Sequence, residues 1–189
     1  NPEYNENDIV ICKITNTSKK FDSWYINYEI LEIIKDNDEE IKNRFSSMLD
    51  FGTAGLRGTT GAGLSKMNVY TVRYATQGLS DLILQNGPEA AKRGVCIAYD
   101  SRIFSEEFAW EAAGTLSANG ISVYIFDELR PTPELSFAIR ELGAIAGINI
   151  TASHNPKEYN GYKVYWEDGA QLPPEHAKQI SDRLGQLDI

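Results

Sequence analysis

Three short runs, V-C-I-A-Y (95–99), I-S-V-Y-I-F (121–126) and A-I-A-G-I-N-I (144–150), are apolar almost from end to end. A strand with one face in water alternates polar and apolar residues. One that is apolar on both faces must be covered on both, as in a largely parallel sheet held between helices. The intervening segments 69–84, 104–118 and 133–142 carry helical periodicity, so strands and helices alternate as βαβ units. The punctuation agrees: Gly120 and Gly143 follow helical runs as C-terminal caps, and Thr132 before Pro133 supplies an N-cap and a first-turn proline. Further on, G-Y-K-V-Y-W-E-D-G reads as another short strand closed by a turn at Asp168-Gly169, with an antiparallel edge position open to it, and 174–187 reads as a last helix. The expected fold class is α/β, a three-layer α/β/α domain with a mostly parallel, mixed sheet.

N-terminal helices precede that domain. Residues 1–20 are polar and weakly periodic, an arm, and 21–49 carry helical spacing broken by D-N-D-E-E, which suggests two helices with a turn near Asp36. The division expected is therefore 1–47 and 48–189. Phe21, Trp24, Tyr25 and Tyr28 either pack on the sheet domain or form a self-association surface. At 189 residues, 42% hydrophobic and 24% charged, the chain has material for one full core and lies far from disordered composition. No apolar run approaches the roughly 20 residues of a membrane span, and the first residues do not resemble an export signal. A net charge of −9 argues against a general nucleic-acid surface. Cys12 and Cys96 have no disulfide-framework or zinc-site spacing, which fits a reducing, cytoplasmic location.

Chemistry collects where strands end. In open α/β sheets ligands bind at the carboxyl ends of the strands. Here those exits read Y-D-S-R (Asp100, Ser101, Arg102), F-D-E-L-R-P-T-P (Asp127, Arg130, Thr132) and T-A-S-H-N-P (Ser153, His154, Asn155). Asp100, Asp127 and Thr132 suit capping or turn roles. Ser153 leaves a buried strand two residues earlier, and Asn155-Pro156 restricts the backbone so that the hydroxyl is held outward; a Ser-turn or helix cap is the competing use. Known templates fail. Ser153 lacks the G-x-S-x-G elbow, Leu64 stands where a P-loop needs lysine, and Lys66 occupies the third glycine position of a dinucleotide fingerprint. His154 and His176 are too few for a zinc set, and His176 reads as a surface residue.

What remains is cationic: Arg57 within F-G-T-A-G-L-R-G-T-T-G-A-G, whose five glycines demand turns or close approach, then Arg102, His154, Lys157 and Lys163. Such a group suits a dianionic phosphate. A tight turn at Asn160-Gly161 would return Lys163 toward Ser153, although a solvated strand lysine fits that position too.

F-G-T-A-G-L-R-G together with T-A-S-H-N-P-x-x-x-N-G-x-K resembles the first domain of the α-D-phosphohexomutases, the phosphoglucomutase/phosphomannomutase family, over essentially 48–186. The resemblance implies a phosphoserine at Ser153 that passes its phosphoryl group to a sugar phosphate such as glucose 1-phosphate or glucose 6-phosphate and recovers one from the bisphosphate intermediate. It implies catalytic roles for Ser153, His154, Lys163 and Arg57, phosphate contacts from Arg57, Arg102, Asn155 and Lys163, and Mg²⁺ held in part through the Ser153 phosphate. The family's D-G-D-x-D metal loop, its G-E-x-S-G-H sugar segment and its R-x-S-G-T phosphate loop have no counterpart among these residues, so domains II–IV are expected as further parts of the same chain and the fragment alone should be inactive. The alternative is a non-catalytic phosphosugar-binding or regulatory module of the same fold. Which sugar is used stays open.

Overall fold

A computed structural model describes residues 35–187. In chain order these form α1 (Asp38–Phe45), β1 (Gly55–Thr59), α2 (Val69–Gln85), α3 (Pro88–Arg93), β2 (Val95–Tyr99), α4 (Ser105–Ala118), β3 (Val123–Ile125), α5 (Thr132–Leu142), β4 (Ala146–Ile150), β5 (Tyr159–Trp166) and α6 (Pro174–Leu184). The five strands make one mixed sheet in the order β1-β5-β4-β2-β3. Neighbours are parallel across β4-β2-β3 and antiparallel across β1-β5-β4. The expected helix before the turn near Asp36 and the aromatic group at Phe21 to Tyr28 lie outside the described residues, as does Cys12. Among the described residues no helix is long and apolar enough to cross a membrane.

The all-apolar reading of β2 and β4 holds because each is buried at every position. One face packs on α2, α4 and α6 through residues such as Leu79, Ile83, Leu116 and Ile180, all fully buried. The other face packs on α5, where Leu135 and Ile139 meet Cys96, Ala98 and Tyr165. Burial pushes the free Cys96 thiol up to about 11, which leaves it an inert core residue. Gly120 and Gly143 take left-handed backbone after α4 and α5; in each case the glycine and the next residue donate back to the last turn, Gly120 N to Ser117 O and Ile121 N to Leu116 O, Gly143 N to Arg140 O and Ala144 N to Ile139 O.

Four expectations need correction. The last strand is no edge: β5 lies between β1 and β4, and the edges are β1 and β3. Asn160-Gly161 is not its entry turn but part of the strand, opposite Gly58 and Arg57 of β1. Thr132 is the first residue of α5 rather than its cap, because its hydroxyl is engaged by Asn149 Nδ2 at 2.7 Å. His176 is half-buried against the Trp166 ring, centroids 4.6 Å apart. Two elements were also missed, the six-residue helix α3 and the strand β1 inside the glycine-rich segment.

The close approach that those glycines imply is met at Gly55, whose φ is +141° and where a Cβ would lie 1.8 Å from the Tyr162 carbonyl oxygen on β5. Gly114, inside α4, has nothing within 4 Å of a Cβ. Gly55→Ala should therefore destabilise the protein by more than about 2 kcal/mol through overpacking and backbone strain. Gly114→Ala should stabilise it by roughly 0.5–1 kcal/mol by removing helix backbone entropy. Urea unfolding of the two variants measures both signs.

Candidate active site

The site is made where β4 empties into the loop 151–158 and β5 brings the chain back. Thr151 keeps the sheet pairing for one more step, its amide donating to Gly161 O at 2.9 Å. Its hydroxyl accepts from the Ser153 amide at 3.0 Å, a threonine turn that tips the chain out of the sheet. Ala152 is fully buried, and Ser153 is exposed with φ 57°. Left-handed backbone at a non-glycine residue costs on the order of 1–3 kcal/mol and persists only where the surroundings hold it. Ser153 and Phe104 are the non-glycine residues with positive φ among those described, and both belong to the loops at this rim.

Alternation along β5 sends Tyr162 and Val164 into the main core and Lys163 to the opposite face. Tyr162 is fully buried and accepts from the Thr76 hydroxyl at 3.1 Å, which pins the register. Lys163 then stands opposite Gly55 on β1 and Asn149 on β4. Its Nζ donates to Ser153 Oγ at 2.5 Å. Arg57, paired with Gly161 and hence diagonal to Lys163, adds a second positive charge on the same face. Burial, and after it the Arg57 charge, hold the Lys163 pKa below the ordinary lysine value, with Asp100 acting in the opposite direction.

The structure thus brings Ser153, Lys163 and Arg57 together. His154 and Lys157 are exposed on the same loop. Asn155 is half-buried, its amide donates to Ala152 O at 3.1 Å, and its Oδ1 is buried without a hydrogen-bond partner. Arg102 is placed differently from a phosphate-contacting residue. Its Nη1 donates to the carbonyls of Pro156 (2.8 Å) and Tyr159 (3.1 Å), its Nη2 to those of Ser153 (3.0 Å) and Asn155 (2.7 Å), and its Nε lies 3.4 Å from Asp100 Oδ2. The guanidinium is used up beneath the loop. Asp100 has the turn role expected of it, accepting from the Arg102 amide and the Ser105 hydroxyl. Arg130 is held by Asp127, Glu128 and Glu134.

Asn160 was missed as a site residue. It is fully buried, and its Nδ2 donates to Ile103 O (3.1 Å) and Ser105 Oγ (3.0 Å) while its Oδ1 accepts from the Gly161 amide. The sequence signal was the N-G pair itself, which suits a turn as well as a strand. Next to the site, a depression of about 450 Å³ is lined by three carboxylates, Asp100, Glu106 and Glu107, against the one guanidinium of Arg102, with Phe104 and Leu129 among its apolar residues. Its acidic lining does not suit an anion.

Fold and site together define a three-layer α/β domain that presents a lysine-bonded serine, flanked by a second cation, at the ligand-binding rim of its sheet. Residues 48–188 match the alpha/beta/alpha domain I of the phosphoglucomutase/phosphomannomutase proteins. The chain belongs to the phosphoglucomutase/phosphomannomutase family. It is 45% identical over 151 residues to a phosphoglucomutase of Staphylococcus saprophyticus, covering 80% of this chain and 27% of that protein. It is 41% identical over 172 residues to the phosphopentomutase of Homo sapiens, covering 85% of this chain and 28% of the relative. A solved structure described as a "putative phosphomannomutase" from Thermus thermophilus superposes with a TM-score of 0.65 at 32% identity, over 72% of this chain and 30% of the other. The chain spans between a quarter and a third of the length of each of these relatives.

The depressed Lys163 pKa gives a signed prediction. Competitive acylation read by mass spectrometry should show a larger neutral fraction for Lys163 than for a lysine in a short unstructured peptide at the same pH. Arg57→Met, which removes a positive neighbour, should move the Lys163 midpoint to higher pH.

Proposed function

We propose that this chain is the phosphoserine domain of a phosphosugar mutase, in which Ser153 carries the phosphoryl group that is exchanged with a sugar phosphate. The observation that carries the reading is the 2.5 Å hydrogen bond from Lys163 Nζ to Ser153 Oγ, made across a loop whose backbone is strained at the serine. When a sugar hydroxyl attacks the phosphorus of phosphorylated Ser153, the bond from phosphorus to Oγ breaks and Oγ leaves with the electron pair. Lys163 can give that oxygen a proton as it leaves, the proton released by the attacking sugar hydroxyl returning the lysine to its charged form, and the same exchange runs in reverse when Ser153 Oγ takes a phosphoryl group back from the bisphosphorylated sugar. With the serine unphosphorylated, burial and the Arg57 charge lower the Lys163 pKa and favour the neutral amine that accepts a proton, while a phosphate dianion on Ser153 acts the other way and favours the ammonium that donates one. Arg57, on the same face, supplies fixed positive charge to the transferring group, since phosphoryl transfer is chiefly positioning and charge stabilisation. His154 and Asn155 line the same loop and are assigned supporting roles, His154 at the reacting oxygens and Asn155 in shaping the loop.

Among the described residues no three His, Cys, Asp or Glu side chains converge as a metal site. The nearby carboxylate, Asp100, is already engaged by Arg102 and Ser105. These residues do not make a Mg²⁺ site by themselves, so Mg²⁺ would take from them only the phosphate oxygens on Ser153, its other ligands coming from elsewhere in a longer protein of which 48–189 is domain I. The substrate proposed is a hexose or pentose phosphate, with the sugar bisphosphate as intermediate and activator, in the cytoplasm. The relatives act, by their names, on both glucose and pentose phosphates, and the residues of this domain hold the phosphoryl group rather than read the sugar.

The test is made on the full-length protein carrying these residues. Intact-mass measurement should find one phosphate on Ser153 that is lost on incubation with sugar phosphate. Ser153→Ala should lower kcat by at least about a thousandfold, as loss of a nucleophile does. An unphosphorylated wild-type protein, or a Ser153→Ala variant with full mutase activity, would remove the reading.

A further inference from the structure

Two segments meet at the rim, 100–105 after β2 and 151–160, which runs from the end of β4 into the first residues of β5, and each sends one side chain onto the other. From the first, Arg102 reaches across and donates to the carbonyls of Ser153, Asn155, Pro156 and Tyr159. From the second, Asn160 reaches back and donates to Ile103 O and Ser105 Oγ. Asp100 closes the circuit, accepting from the Arg102 amide and Ser105 Oγ and lying 3.4 Å from Arg102 Nε. The Arg102 side chain is only 15% exposed. Its charge therefore faces carbonyl oxygens, not the solvent side where Ser153 Oγ and Lys163 Nζ meet.

Carbonyl groups gathered at one point repel one another through their dipoles, and a left-handed serine among them is strained. A planar guanidinium with donors in a fixed fork can satisfy carbonyls spread around it, which an ammonium, with three donors at one point, cannot do at that separation. We propose that Arg102 is the positioning residue of the phosphoryl-transfer site. It fixes the strained path of 153–159 and thereby holds Ser153 Oγ in line with Lys163, while Asp100 and Asn160 orient it. This rests on Ser153 being the phosphoryl carrier, and it assigns Arg102 to the serine's geometry rather than to the substrate's phosphate.

Arg102→Lys and Arg102→Met in the full-length protein provide the test, with Asp100→Asn as a variant that loosens Arg102 without contacting 151–158; since the Asp100 charge also acts on Lys163, loop protection is the readout that assigns its effect to Arg102. The proposal expects kcat to fall about 100-fold in both Arg102 variants, as a misplacement near 1 Å does, with KM for the sugar phosphate changed less than about threefold. Asp100→Asn should lose activity in the same way but by less. Hydrogen exchange supplies a readout independent of turnover. The amides of Ser153, Asn155 and Tyr159, which donate to Thr151 Oγ1, Ala152 O and Pro156 O, should lose protection in the Arg102 variants while those of β4 and of β5 from Gly161 onward keep theirs. An Arg102→Lys protein with wild-type kcat and wild-type loop protection would overturn the proposal. So would a tenfold or larger rise in KM at unchanged kcat, the signature of a phosphate contact. If neither Arg102 variant folds, Asp100→Asn decides: unchanged kcat and unchanged protection overturn the proposal. A wild-type protein without phosphate on Ser153 would instead sink the mutase reading, and loop exchange would still decide whether Arg102 holds the loop.

Discussion

The site depends on β5 running antiparallel between β1 and β4. Were β5 parallel to β4, the residue ten positions beyond Ser153 would be carried away from it, and without β1 beside β5 there would be no Arg57 next to Lys163. As built, the chain leaves β4 at Ile150, turns through eight residues and returns with Tyr162 opposite Ile150. The next residue, Lys163, is then on the far face from the main core and one strand from the serine loop. A slip of one residue would bury the lysine and expose Tyr162. The fully buried Tyr162 ring and its hydrogen bond from Thr76 are therefore as much part of the site as Lys163.

On the other side of β5, the glycine-rich strand β1 serves the same end by what it lacks. Gly55 faces Lys163, and the backbones come so close there that no side chain fits. Gly161 is equally confined, since a Cβ on it would lie 2.6 Å from Thr151 O and 3.1 Å from Leu56 O. The strand between two such contacts can present Arg57 at a fixed place relative to Lys163. Two cations are thus set side by side by backbone packing, at the expense of mutual repulsion that lowers the lysine's proton affinity.

Much of this was legible in the sequence. The parallel strands β2 and β4 announce themselves by apolar runs that only double-sided burial explains, and the helix ends by glycines that take left-handed backbone. Ser153 and Lys163 stood out at a strand exit and ten residues beyond it, but the turn expected to join them at Asn160-Gly161 is strand, and of the cations expected around them Arg102 is turned to the loop's carbonyls. The parts that were not legible share a physical cause, namely partners distant in sequence. In G-L-R-G-T only the threonine favours a strand, and β1 exists because β5 pairs with it. Asn160 sits in a strand because its amide is buried between Ile103 and Ser105, where a local reading sees a turn. An arginine at a strand exit looks the same whether it binds a phosphate or four carbonyls, and Arg102 does the second. Thr132 would cap α5 if Asn149 did not occupy it.

The measurement closest to the central claim is a crystal structure of the full-length protein with Ser153 phosphorylated. It should show Lys163 Nζ within hydrogen-bond reach of Ser153 Oγ or a phosphate oxygen attached to it, Arg57 on the same face, and the loop 153–159 still on Arg102. A serine side chain turned into the interior, with Lys163 paired elsewhere and Arg57 facing away, would contradict the account.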